Sequence, residues 1–271
     1  MEPEYTNTES HQLEACIITL ARGAMQICPC PEILRTKLTF SMPFQARGRI
    51  LRKNHPLWVS LDDGSGVGCS RTLLRQVRSI LEENQLPYRI EDRSPVTLPT
   101  INRSQLPGLS DRHFEAIEAI RGIVDTGGCI LLHPETEDLS PILAALITLF
   151  NHHRTVICVP NKAKKAAILH EVNRHLINPQ VRLQPLDDDS MTAPQHAVIH
   201  EAELLLPEPE EVDVFIMLHA DHLSGLKLQG NTIRFYQSLK LGFTSSTTNS
   251  FGSKIPLMES LLGPITPGIL A

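Results

Sequence analysis

Residues 129–140 read CILLHPETEDLS, a frame for holding phosphate that lacks most of the groups that would hold it. An apolar run leads into a short polar turn, then into an apolar stretch of helical character, Pro141 to Phe150. A strand–loop–helix of this kind binds polyphosphate when glycines let backbone N–H groups wrap the oxygens. It also needs a lysine for the outer phosphates and a Ser or Thr hydroxyl for magnesium. Here Thr136 and Asp138 occupy glycine positions, Leu139 occupies the lysine position, and Ser140 alone keeps its chemistry. Glu135, Glu137 and Asp138 would repel a polyphosphate, so neither ATP nor magnesium is expected to bind. Pro134, Thr136 and Ser140 are read as vestigial nucleotide contacts.

Other clusters invite a chemical reading and yield a plainer one. His219, Asp221 and His222 in HADH are residue types that ligate metals, yet their place at the end of a buried strand favours a plainer reading. His152 and His153 are placed in a surface turn, and Asp187, Asp188 and Asp189 in a solvated loop. The hydroxyls from Thr244 to Thr248 have no loop lysine to work with. Six cysteines are scattered without a Cys-x-x-Cys pair, which points to reduced thiols used as small apolar residues. No metal site is expected.

The elements that would position these residues fall into two groups. Through Leu20 the chain reads as a tail (1–14) and the start of a strand. A basic unit then extends to about residue 95. CIITLARGAMQI is β-like, LRTKLTFSM alternates, and PLWVSLDD is a strand. RTLLRQVRSILEENQ has helical spacing and LPYRIED closes the unit as a strand. A Pro/Ser/Thr-rich linker covers 96–108. From 109 to 271 helices alternate with buried strands: GCILLH, RTVICVP, VRLQPL, VDVFIMLHA and LKLGFTSST are strands, and AVIHEAELLL is ambiguous. That rhythm calls for a parallel sheet covered on both faces.

Charge is divided along the same line. Residues 22–103 hold thirteen Lys/Arg against seven Asp/Glu, while the whole chain has a formal net charge of −5. A basic front on an acidic body suggests that the front meets an anion, nucleic acid being the usual one. The N-terminus is acidic and polar, unlike a signal or transit peptide, and no apolar run approaches the length of a membrane span. A cytoplasmic protein without membrane contact is expected.

The order and spacing of several segments resemble the first RecA-like lobe of superfamily 2 helicases, in the UvsW/XPB-type branch. GLSDRHFEAIEAI is similar to the opening helix, with His113 where the family has an adenine-reading glutamine. CILLHPETEDLS falls at the phosphate loop. RTVICVPNKAKKAAILHEV resembles motif Ia, which touches the nucleic-acid backbone, with Val159, Pro160 and Lys162 matching. VDVFIMLHADHL falls at the magnesium-binding Asp-Glu box, but its positions hold Leu218 and His219. KLGFTSST resembles motif III through Thr244, Ser245 and Ser246, and a small basic α+β domain ahead of the lobe also resembles this branch.

The resemblance implies an α/β fold: a RecA-like P-loop NTPase lobe preceded by a small α+β domain. Its chemistry depends on the lysine, the metal and the loop amides, together with arginines from a second lobe that would begin where this sequence stops. The expectation is a non-catalytic, helicase-like protein that binds nucleic-acid backbone, DNA first, or serves as a scaffold. Arg47, Arg49, Arg52, Lys53, Pro160, Lys162, Lys164 and Lys165 are the expected contacts. Two alternatives stand beside it. One is a protein–protein lobe of a split helicase or larger assembly, and the other is a divergent ATP-dependent helicase subunit.

Overall fold

A computed structural model describes residues 15–46, 49–93, 109–123, 126–133, 138–186, 194–203, 207–208, 211–220, 230–231, 233–245, 259, 261–263 and 265–266. The side chains of 40–53 lie outside that description, as do the whole of the 1–14 tail and the 96–108 linker.

The small unit begins with strands β1 (Cys16–Leu20) and β2 (Ala24–Cys28), which pair antiparallel with Ile18 opposite Ile27. Helix α1 (Glu32–Lys37) follows. The alternation in LRTKLTFSM predicts strand there, but Glu32 in the first turn and Arg35 and Lys37 in the last suit a helix dipole. Leu34 needs burial on one side only, which a short helix supplies. Strands β3 (Thr39–Ala46) and β4 (Arg49–Pro56) form a separate two-stranded ribbon. Then come β5 (Trp58–Ser60), β6 (Val67–Ser70), α2 (Leu74–Glu83) and β7 (Tyr88–Asp92). The five-stranded sheet has the order β5-β6-β2-β1-β7, with β7 parallel to β1.

The second unit starts with α3 (Asp111–Ile123), β8 (Gly128–Leu132) and α4 (Ser140–Leu149). Next come β9 (Thr155–Val159), α5 (Lys162–His175), β10 (Gln184–Pro185) and β11 (His196–His200). Strands β12 (Val214–Met217), β13 (Leu239–Thr244) and β14 (Ile265–Thr266) complete it. The ambiguous AVIHEAELLL resolves into β11 and a 3-10 turn at Glu201–Glu203. All seven strands run parallel in the order β10-β11-β9-β12-β13-β8-β14, which is the sheet of a RecA-like lobe.

Strand alternation divides the lobe's core in two. Ile157, Val159, Ile216, Leu218, Leu241 and Phe243 face α3, α4 and α5. Val156, Cys158, Phe215 and Met217 point the other way, into a core continuous with Ile18, Ile27, Val67, Leu73 and Leu81 of the small unit. Burial on both faces explains why these strands read as unbroken apolar runs.

The contact between the units is close. The Gly23 amide donates to the Gln237 carbonyl (3.2 Å), and a β-carbon on Gly23 would collide with Ser238. Gly127, at φ +82°, lies against the Arg71 side chain. At the rim, Arg22 pairs with Asp213, whose carboxylate also accepts from the Arg154 amide (2.9 Å).

Candidate nucleotide cleft and nucleic-acid interface

In an open parallel sheet, ligands sit beyond the carboxyl ends of the strands, where loops diverge. Here a cleft of about 190 Å3 opens there between α4 and α5. Its described lining includes His133, Asp138, Leu139, Ser140, Lys164 and His219. This volume is below the roughly 300–1,000 Å3 of ordinary small-molecule sites.

Each position is filled in a different way. Leu139, expected at the lysine position, is 6% exposed and packs into the core with Ile142 and Leu143. The Ser140 amide, at the start of α4, donates to the Asp138 carboxylate (2.9 Å). That N–H would otherwise face an anion, so the chain's own carboxylate satisfies the helix start. Ser140 is itself buried, at 3%. Pro134 and Thr136 lie outside the described residues.

At the end of β12 there is no carboxylate among the described residues. Leu218 is buried in the helix-side core, and its amide bonds to the Cys158 carbonyl (2.9 Å). His219 adopts φ +51°, a left-handed turn that reverses the chain after the strand. Its ring meets the buried His133 ring edge-on, with centroids 5.9 Å apart. Asp221, His222 and Ser246 lie outside the described residues, as do Asp187, Asp188 and Asp189. Thr244 is fully buried, and its carbonyl accepts from the His133 amide (3.0 Å). Strands β8 and β13 are thereby tied together at the cleft floor.

His113, expected at the base-reading position, is nearly buried and closes the start of α3. Its amide donates to Ser110 Oγ (3.2 Å), and the Ser110 amide donates back to His113 Nδ1 (3.5 Å). This reciprocal pairing is a capping-box arrangement with imidazole in place of a carboxylate. Sequence reasoning missed it, although Ser-x-x-His immediately ahead of an amphipathic helix was the available signal.

The basic residues separate. Lys162 and Lys164 are exposed on the first turn of α5, after Pro160 at the end of β9. Asn161 caps that helix by accepting from the Lys164 amide (3.0 Å). Lys165 corrects the expectation that all three lysines face a backbone. It is only 7% exposed, and its ammonium bonds to Glu203 Oε2 at 2.6 Å. The helical turn carries the third lysine to the side opposite solvent, under the turn that follows β11. Burial raises the Glu203 carboxyl, but its bonds from Lys165 and the His200 amide outweigh this and hold it below its ordinary value. Arg49, Arg52 and Lys53 lie on β4 of the ribbon; Arg47 falls outside the described residues.

The architecture is that of a RecA-like lobe with a small mixed-sheet unit packed on one face. The UvsW helicase of bacteriophage T4 has a similar structure: TM-score 0.64 at 14% identity, over 93% of this chain and 99% of that one. A second T4 UvsW structure gives the same score and identity, and there this chain spans 56% of the longer polypeptide. A hypothetical ATP-dependent RNA helicase from Sulfolobus tokodaii aligns over 58% of this chain, with TM-score 0.42 and 11% identity. No family model matches the sequence, and neither does any curated protein.

Proposed function

We propose that this protein is a non-catalytic, helicase-like nucleic-acid-binding protein, with a protein partner in a larger DNA- or RNA-processing assembly. The observation that carries the reading is the split between the two halves of the lobe's ligand edge. On one side, Leu139 is packed into the core and Asp138 takes the helix amide. On the other, Lys162 and Lys164 are presented to solvent, and no ion pair engages them among the described residues.

Two exposed cations at a helix start oppose the helix dipole, at a cost of about 0.3–1 kcal/mol each. No acidic residue in the first turn offsets them. A phosphate backbone crossing that turn would. The ribbon adds a second basic surface, since residues 39–56 contain four Lys/Arg and no acidic residue. Binding through these groups is sequence-independent and falls steeply with salt.

The test is the salt dependence of binding to duplex and single-stranded DNA. Lys162→Ala with Lys164→Ala should lower the slope of log K against log salt by about 2. A slope unchanged in that variant removes α5 from the interface, and salt-independent binding ends the nucleic-acid reading. A parallel ATPase assay with branched DNA should give background turnover. Turnover abolished by Ser140→Ala would instead establish the divergent-ATPase alternative.

A further inference from the structure

Lys240, in β13, has no exposed surface. Leu239 and Leu241 on either side of it point into the helix-side core, so alternation turns Lys240 toward the small unit. Its Nζ donates to two backbone carbonyls, those of Tyr236 (3.0 Å) and Ser238 (2.9 Å). No carboxylate approaches it among the described residues. A neutral amine has two N–H donors, which these carbonyls satisfy, whereas an ammonium has three. The charged form would therefore leave one donor without an acceptor and a buried charge without a counter-ion.

The surroundings come from both units. Gly68 of β6 lies against the Tyr236 ring, and next to it is the fully buried Cys69. Arg71 covers Gly127, but its guanidinium is committed to the Ala21 carbonyl and to Asp92 (2.9 Å). At the rim, Asp213 is held by Arg22. The titratable group that acts on Lys240 is the Cys69 thiol, which burial holds neutral. Burial lowers its pKa to about 7, with a small opposing influence from Cys69.

We propose that the junction between the small unit and the lobe is a proton-sensitive latch: neutral Lys240 seats the small unit on the sheet, and protonation of Lys240 loosens it. The direction follows from linkage. Once the junction opens, the amine meets water and regains its ordinary pKa of 10.5. Closing is then favoured about tenfold per pH unit as pH rises from 7 toward 10.5, and is weakest and level below 7.

The experiment is amide hydrogen exchange of the full chain from pH 6 to 9.5, corrected for intrinsic rates. It reads opening at β6 and β13, with emission from Trp58, the single tryptophan, as a second probe; Trp58 pairs with Cys69. Opening should fall about tenfold per pH unit above 7 in the native protein and be level throughout in Lys240→Met. The same pH dependence in Lys240→Met, or none in the native chain, overturns the latch. If Lys240→Met does not fold, the native lysine 13Cε titration decides. A lysine with a midpoint near 7 supports the proposal, and all lysines titrating near 10.5 refute it.

Discussion

Replacing Lys165 with methionine should damage the fold while leaving nucleic-acid binding almost untouched. The Lys165 side chain is 9% exposed and that of Glu203 is 24%, with 2.6 Å between the charged atoms. Glu203 Oε1 also lies 3.1 Å from His200 Nε2, and Oε2 accepts from the His200 amide. Breaking a fully buried pair costs roughly 3–5 kcal/mol, because the remaining charge is stranded. Glu203 keeps a quarter of its surface in water and a second set of donors, which reduces the figure to about 2 kcal/mol. For a chain of this size that lowers Tm by about 5 °C. The methionine retains most of the aliphatic packing, so the loss reports the charge.

The assay is urea unfolding of Lys165→Met, Glu203→Gln and the double variant. The coupling should be large, because each single change strands its partner while the double change does not. DNA binding is then measured against salt on the same proteins, and the slope should match the native one. A Lys165→Met protein of native stability whose salt slope falls by about 1 would refute the reasoning. It would mean that Lys165 reaches phosphate rather than Glu203. The pair also sets an acid limit. Because the Glu203 carboxyl is held below its ordinary value, its contribution is complete above the unfolded value of 4.5 and is lost as pH falls below it.

Other outcomes follow from single residues. His196 is 2% exposed, and neither ring nitrogen has a hydrogen-bond partner among the described residues; burial pushes its pKa down to about 4. It must be neutral when folded, so stability should decline as pH falls from 6.5 toward 4, by about 3 kcal/mol at most. His196→Leu should flatten that limb in an acid-unfolding series. Leu139→Lys restores the loop's missing cation on paper, but it should cost roughly 2–4 kcal/mol by placing an ammonium in the α3–α4 core. It should restore no ATP turnover, because β12 still ends in Leu218 and His219. Asp138→Ala should cost about 1 kcal/mol, read by thermal unfolding, through loss of the bond to the Ser140 amide.

Much of the lobe was legible because its strands are buried on both faces. GCILL, TVICV and VFIM carry no charged residue and a single hydroxyl, Thr155, to disguise them, and each proved a strand of the parallel sheet. The small unit was less legible where alternation and helix signals overlapped, as in α1, whose six residues bury a single leucine. The capping role of His113 was hidden because histidine is an unusual third residue for such a box. The ion pair of Lys165 was hidden for a different reason. Its partner lies 38 residues away, and sequence spacing cannot tell which of three neighbouring lysines a helix will turn inward.

The sequence by itself determined what the cleft is made of. The segment leading into α4 reads HPETEDLS, and Leu218 and His219 follow β12. Those are facts of residue type, legible before any folding. Only the tertiary structure decided what each substitute does. Leu139 is drawn into the core because apolar surface leaves water wherever a neighbouring helix offers room. Asp138 turns to the Ser140 amide because a helix start needs an acceptor. Packing also buried Lys240 between the two units, where no carboxylate approaches it among the described residues, a fate that nothing in LKLGFT announces. Chain order names the residues, but burial and the hydrogen bonds available on burial set their chemistry.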